Sequence, residues 1–274
     1  MKTINSLSGG KTSSYLTIHY PADYNVFALV TTEDIRSRPK DDALIKMVSD
    51  KIGREFIATA ESDLTLKAVI DLEQLLGKEI IWLVGDTFEQ TIKKHGGILP
   101  NFMLRFCTHQ MKMKPIFDWC TKEINEIVEM RVGYRYDELE RADRFTTKFK
   151  TIIGRTAKRN KWGEIEWRIG KFPLIEDKVT HLKVKQWAES SGLIFPSDSN
   201  CVGCFHKPIQ QLRKNFEDYP EKMNWFAEQE IITKKGKQLK WKKEMTYSQI
   251  KSVGLQTDFN FGTGSGCQAG FCTD

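Results

Sequence analysis

No run of apolar residues in this 274-residue chain approaches the roughly 20 that a bilayer-spanning helix needs. A membrane is therefore not an expected partner. No internal repeat is visible, which sets aside solenoids and propellers, and no low-complexity tract marks a long disordered linker. No secretory leader precedes the first motif, so the expected location is the cytoplasm. In that compartment clustered cysteines are more often metal ligands or redox thiols than structural disulfides. The chain is 40% hydrophobic and 28% charged with a formal net charge of +6. That is an ordinary globular composition with enough apolar residues for a sizeable core.

The first motif is Ser8-Gly9-Gly10-Lys11-Thr12-Ser13. It lies between a strand-like run at 2–5 and a helical pattern over 13–19. A strand-to-helix glycine turn presents backbone N–H groups to an anion, with the helix N-terminus adding positive potential. Gly9 and Gly10 permit close approach. Ser8, Thr12 and Ser13 add hydroxyls, and Lys11 adds charge. Gly10-Lys11-Thr12 suggests a Walker-type loop, but Asn5 stands where that motif needs its first glycine. A turn that merely joins strand to helix remains open on these residues alone.

Strand-like and helical segments then alternate. The pattern predicts strands at 25–30, 55–59 and 126–133, with helices at 41–52, 64–76 and 114–122, and leaves the apolar run Ile80-Ile81-Trp82-Leu83-Val84 open between strand and helix. This alternation predicts an α/β fold with a largely parallel sheet, whose ligands bind beyond the carboxyl ends of the strands. Thr31 and the Gly133-Tyr134-Arg135 loop fall at that edge with the glycine turn. From Arg141 the chain turns basic. Strands at 151–154 and 165–169 around Asn160-Lys161-Trp162-Gly163 predict a basic hairpin spanning about 145–171. Helices follow at 180–190 and 208–216. A second basic stretch, 234–243, contains Trp241, and a glycine-rich tail carries Cys267 and Cys272. The expected division is a nucleotide-binding domain over 1–215 and a C-terminal extension over 216–274.

Several motifs, in one order, resemble the phosphoadenosine-phosphosulfate (PAPS) reductases and the related N-type ATP pyrophosphatases. The glycine turn is similar to their pyrophosphate (PP) loop, Ser-Gly-Gly-x-Asp-Ser, with Thr12 at the aspartate. Arg105-Phe106-Cys107-Thr108 followed by Lys112-Met113-Lys114-Pro115 resembles their cysteine before a Lys-x-x-Pro helix. Gly133 to Arg141 resembles their Gly-Ile-Arg-x-x-Glu-x-x-Arg loop. Phe172-Pro173-Leu174-Ile175 resembles a proline-led strand, and Asn200-Cys201-Val202-Gly203-Cys204 their later Cys-x-x-Cys.

The resemblance implies a Rossmann-like adenine nucleotide alpha-hydrolase fold, with a five-stranded parallel sheet between helices. It implies ATP or a related adenylyl nucleotide, with phosphates on Ser8 to Ser14, adenine near Ala28 to Thr31, and Mg²⁺ as a further candidate. Arg135 and Arg141 would face phosphate or sulfate, as guanidinium forks do; a salt bridge from Arg135 to Glu138 or Glu140 is the plainer alternative. It also places Cys107 beside Cys201 and Cys204. Three thiolates there suit a 4Fe–4S cluster, or zinc with His206 or water; a cysteine pair that merely packs or protects the fold is the plainer alternative. Cys120, on an apolar helix face, reads as core.

The expected activity is sulfonucleotide reduction or sulfur transfer, with Lys11 neutralising phosphate charge and Cys267 or Cys272 as a tail nucleophile. The tail lacks the family's Glu-Cys-Gly-x-His, so a tail disulfide, a second metal site or no role stay open. Thiolating relatives act on tRNA or DNA, so ATP-dependent modification of nucleic acid is an alternative. For that, Arg155, Lys158, Arg159 and Lys161 would contact phosphates, and Trp162 or Trp167 would stack; a solvated basic face is equally consistent. A non-catalytic nucleotide- and metal-binding subunit, a zinc-ribbon nucleic-acid binder, and a homo-oligomer or larger complex remain open.

Overall fold

Strand β1 (Thr3–Leu7) is the centre of the molecule, with parallel neighbours on both sides. The computed structural model describes residues 1–156, 159–233 and 236–255. Helix α1 (Lys11–His19) leads to β2 (Tyr24–Leu29), the two-residue β3 (Thr31–Thr32), and α2 (Asp42–Ile52). Then come β4 (Ala58–Thr59), α3 (Asp63–Leu76), β5 (Ile80–Val84) and α4 (Phe88–Lys94). Short α5 (Phe106–Thr108) and α6 (Lys114–Trp119) are joined by a π-helical turn, His109–Met113, and followed by another, Cys120–Ile124. Next are β6 (Val128–Val132), α7 (Leu139–Asp143), β7 (Lys148–Arg155), β8 (Asn160–Glu166), β9 (Arg168–Lys171) and α8 (Pro173–Glu176). Helices α9 (His181–Ser190), α10 (Ile209–Asp218), α11 (Pro220–Glu228) and α12 (Tyr247–Lys251) complete the described chain.

The main sheet has the order β5-β2-β1-β6-β9, all parallel, flanked by helices: a Rossmann-like α/β fold. Strand periodicity divides the core. Phe27 and Leu29 of β2 pack with Leu44 and Val48 of α2 and with Leu66 and Val69 of α3. Val26 and Ala28, pointing the other way, pack with Ile116 and Phe117 of α6 and with Cys120. Burial on both faces explains why β2 reads as a continuous apolar run. Local signals set the helix bounds: Asp41 and Ser62 cap α2 and α3, and left-handed Gly53 and Gly77 end them.

Four expectations need correction. The segment 55–59 contributes only Ala58–Thr59, paired antiparallel with Thr31–Thr32 outside the main sheet; β5 already occupies the place beside β2. The outer fifth strand is instead β9, which the expected 165–169 strand straddles. Asn160 to Gly163 lies inside β8, so the hairpin turns between Arg155 and Asn160. Finally, 172–175 is a helical turn, with Pro173 at its first position, where the missing N–H costs nothing. Helix α10 spans position 215/216, the start expected for the C-terminal extension. Trp225, Phe226 and Trp241 from beyond it pack in one cluster with Val30, Phe88 and Val202. No helix among the described residues is long and apolar enough to cross a membrane.

Candidate functional site

The glycine turn stands at the carboxyl end of β1. Gly9 has φ +73°, and a Cβ there would lie 2.6 Å from Thr65 Cγ2 on α3. Both left-handed backbone and close contact demand glycine. Gly9→Ala is therefore expected to cost roughly 1–3 kcal/mol in urea denaturation, through strain and overpacking. Gly10 is the extended N-cap of α1; no side chain caps the helix and no acidic residue stands in its first turn. Ser13 Oγ donates to Gly10 O at 3.0 Å and accepts from Ser8 N at 3.2 Å, tightening the loop. The loop opens on a cavity of about 140 Å³, walled also by Gly133 to Arg135, Glu138, Arg141, His181 and Ser197 to Asn200. Ser8, Gly10, Lys11, Thr12 and Ser13 line it; Gly9 faces α3 and Thr31 is not on its wall. Thr31 is buried on β3, and its hydroxyl has no hydrogen-bond partner.

The loop after β6 supplies the opposite wall. A Cβ on Gly133 would lie 3.3 Å from Thr12, so the two loops nearly touch. Arg135 Nη1 donates to Thr12 Oγ1 at 3.0 Å, binding the arginine loop to the glycine turn. Arg135 also pairs with Asp137 and Glu138, each at 3.1 Å. The salt bridge to Glu138 and the position on the cavity wall thus coexist. Arg141 Nη1 donates to Glu138 Oε1 at 2.7 Å, and its guanidinium lies over the Tyr134 ring, 4.4 Å from the centroid. Glu138, buried between two guanidiniums, organises this wall, although the sequence reading saw in it only a salt-bridge partner. Its signal was present as the glutamate of the Arg-x-x-Glu-x-x-Arg pattern. His181 is held below the usual imidazole range by burial and by the nearby Arg135 and Lys11 charges.

Cys107, Cys201 and Cys204, none of them in a disulfide with another described residue, line a second cavity of about 60 Å³ with Arg105, Lys112, His206 and a wall of Phe205, Phe226 and Trp241. Burial pushes the Cys107 thiol up to about 11 and Cys201 well above its ordinary value. Among the described residues, no three His, Cys, Asp or Glu side chains are gathered as a ready-made site for a metal ion. The Cys-x-x-Cys turn closes through Cys204 N donating to Cys201 O at 3.0 Å. Lys112 pairs at 3.1 Å with Glu61, whose side chain is fully buried. Burial drives the Glu61 carboxyl up.

The two cavities share a residue: Asn200 lies on the wall of both. Its segment is pinned on either side. Ser199 Oγ donates to Ser8 Oγ at 3.1 Å, and Asp198 pairs with Lys207 at 2.8 Å, with both side chains buried. Residues 197–199 carry no chemistry-bearing motif and are not singled out by the sequence, and Asn200 enters there only as the first residue of the Cys-x-x-Cys segment.

Elsewhere the assignments divide. Cys120 is core, as expected. Trp167 cannot stack on a base: it is buried edge-on against Phe117. Trp241 is likewise buried, with Nε1 donating to Phe226 O at 2.7 Å, and Lys242 donates to the Phe205 and Lys207 carbonyls. The second basic stretch is thus partly absorbed into packing. Lys158, Lys234, Cys267 and Cys272 lie outside the described residues.

No protein-family model matches the chain. An uncharacterized protein of Methanocaldococcus jannaschii is 25% identical over 172 residues, 61% of this chain; the chain spans 33% of that relative's length. A crystal structure of phosphoadenylyl-sulfate (PAPS) reductase from Candida auris, a phosphate complex, is similar with a TM-score of 0.36 and 12% identity, over 71% of this chain and 75% of that one.

Proposed function

We propose that this chain is a PAPS reductase-like enzyme that binds an adenine nucleotide through a PP-loop and carries out sulfonucleotide reduction or sulfur transfer. The observation that carries the reading is Asn200, which joins the anion cradle to a cavity with three thiols. A phosphate-bearing substrate on Lys11, Gly10 and the α1 N-terminus would place its reacting end beside sulfur chemistry. Lys11 and Arg135 would neutralise charge developing on the phosphates. Thr12, in the family's aspartate position, accepts from Arg135, so its contribution is to seat an arginine and not to hold Mg²⁺.

Cys107, Cys201 and Cys204 would hold a thiophilic group. The donor set fits such a group. All three line one cavity, and thiolate donors suit an iron–sulfur cluster, with zinc as the alternative. When bound, such a group would supply sulfur or electrons; the protein's own part is to hold the half-buried thiols against an apolar wall of Phe205, Phe226 and Trp241.

Purification without oxygen, with absorption spectra and metal and sulfide analysis, tests the thiol cavity. Iron and sulfide are expected, and both are expected to be lost in Cys201→Ala; a colourless protein with one zinc would refute the cluster. Calorimetric titration with ATP and adenylyl sulfate tests the cradle. Lys11→Ala is expected to weaken binding about 10- to 100-fold, the loss of one charge-assisted contact. Nucleotide binding without release of AMP or pyrophosphate, with any acceptor, would point to a non-catalytic subunit instead.

A further inference from the structure

Strands β7 and β8 pair with each other in a separate two-stranded sheet. Two strands alone are marginal in water, and this pair is anchored at its base, where Phe149 packs in the core with Trp167. Register divides its charge. In the inner half Lys148 stands across from Glu166 and Lys150 from Glu164, so opposite charges face one another. In the outer half Arg155, Arg159 and Lys161 are exposed, and no acidic residue occurs between Thr151 and Gly163.

The outer half is also apolar where a solvated face would be polar. Trp162 is 58% exposed, and its cross-strand partner Ile152 is 47% exposed. Asn160 and Trp162 point to one face of β8 and Lys161 to the other; past an irregularity between Ile152 and Gly154, Arg155 stands across from Asn160. The aromatic ring and a guanidinium therefore share a face. A second copy of the hairpin would bring basic tip to basic tip. A polyanion with flat apolar faces satisfies both features at once. Unstacked bases supply such faces, and duplex DNA hides them.

We propose that the outer half of the β7–β8 hairpin is a binding finger for single-stranded nucleic acid: Arg155, Arg159 and Lys161 engage phosphates and Trp162 stacks on a base. The chain's net charge of +6 adds long-range attraction. The proposal does not depend on the sulfur chemistry, because the finger is built from residues outside both cavities.

Fluorescence anisotropy on the full chain, without nucleotide, tests it with labelled single-stranded RNA, single-stranded DNA and a duplex of equal length over a series of KCl concentrations. Binding to either single strand is expected, with a log–log salt slope of about −2 for three phosphate contacts. Arg155→Ser/Arg159→Ser/Lys161→Ser is expected to abolish that slope and weaken binding at least tenfold. Trp162→Ala is expected to weaken binding about tenfold with the slope unchanged, and Trp162→Phe to restore it. Circular dichroism confirms that each variant is folded. The proposal is overturned by absence of binding at the lowest salt, by duplex preference insensitive to Trp162→Ala, or by polyglutamate competing as well as the single strands, which would identify an acidic-protein surface.

Discussion

Glu138→Ala is expected to lower the unfolding free energy by about 3–5 kcal/mol, the usual result of leaving buried charge without its partner. The Arg141 and Glu138 side chains are 9% and 7% exposed, so solvent cannot take over the lost contact. Arg135 loses both an ion pair and the carboxylate that accepts from its own backbone N–H at 3.2 Å. Urea denaturation measures the stability change. Anion binding separates two roles of the carboxylate. By Coulomb's law alone, removing a negative charge from the cavity wall strengthens phosphate binding; releasing the arginines weakens it. Glu138→Gln keeps the shape and removes the charge, so pyrophosphate is expected to bind several-fold more tightly to it than to the wild type. Glu138→Ala loses the arrangement, and pyrophosphate is expected to bind more weakly. Equal weakening in both variants would show that the charge itself is required, and would refute the view that Glu138 acts by holding Arg135 and Arg141 in place.

That pair of arginines shows where sequence reasoning reaches and where it stops. The parallel sheet was legible because apolar runs such as β2 and β6 alternate with amphipathic helical patterns; β5 is as apolar, but five such residues alone do not separate strand from helix. The glycine turn, Arg135, Arg141 and the three cysteines, which line the two cavities, stand out in the sequence because each residue type has few other uses in such a pattern. Glu138 was visible but ambiguous, since the same spacing serves a surface salt bridge. Other features could not be read locally. The fifth strand, β9, is four residues whose place depends on pairing with Val128 to Arg131, far away in sequence. Trp167 and Trp241 look like stacking residues beside lysines, and only tertiary packing reveals them as core. Ser199 and Asn200 acquire their meaning from what they touch, Ser8 on one side and the thiol cavity on the other. Thr31 lies off the wall of the glycine-turn cavity, which a strand end near the ligand edge does not reveal, because position along a strand does not determine which way a side chain points.

The Asp198–Lys207 pair makes the link between the cavities testable. Lys207 follows the Cys-x-x-Cys turn, and Asp198 lies in the segment that meets the glycine turn. The Lys207 and Asp198 side chains are 4% and 5% exposed, at an N–O distance of 2.8 Å. Gln211 Nε2 also donates to Asp198, at 2.5 Å, and Asn200 N at 3.0 Å, so the carboxylate organises the neighbour that borders both cavities. Lys207→Met keeps the length of the side chain and removes its charge, leaving Asp198 with neutral donors only. A loss of roughly 3 kcal/mol is expected in denaturant unfolding. The double variant Lys207→Met/Asp198→Leu is expected to recover much of it, because apolar replacement of both partners removes the unpaired charge. The functional consequence differs from that of Lys11→Ala, which is expected to reduce nucleotide affinity alone. In Lys207→Met, nucleotide affinity and metal content are expected to fall together, since one displaced segment forms a wall of each cavity. Loss of metal with nucleotide binding intact would show that the two cavities are merely neighbours, and that Asn200 transmits nothing between them.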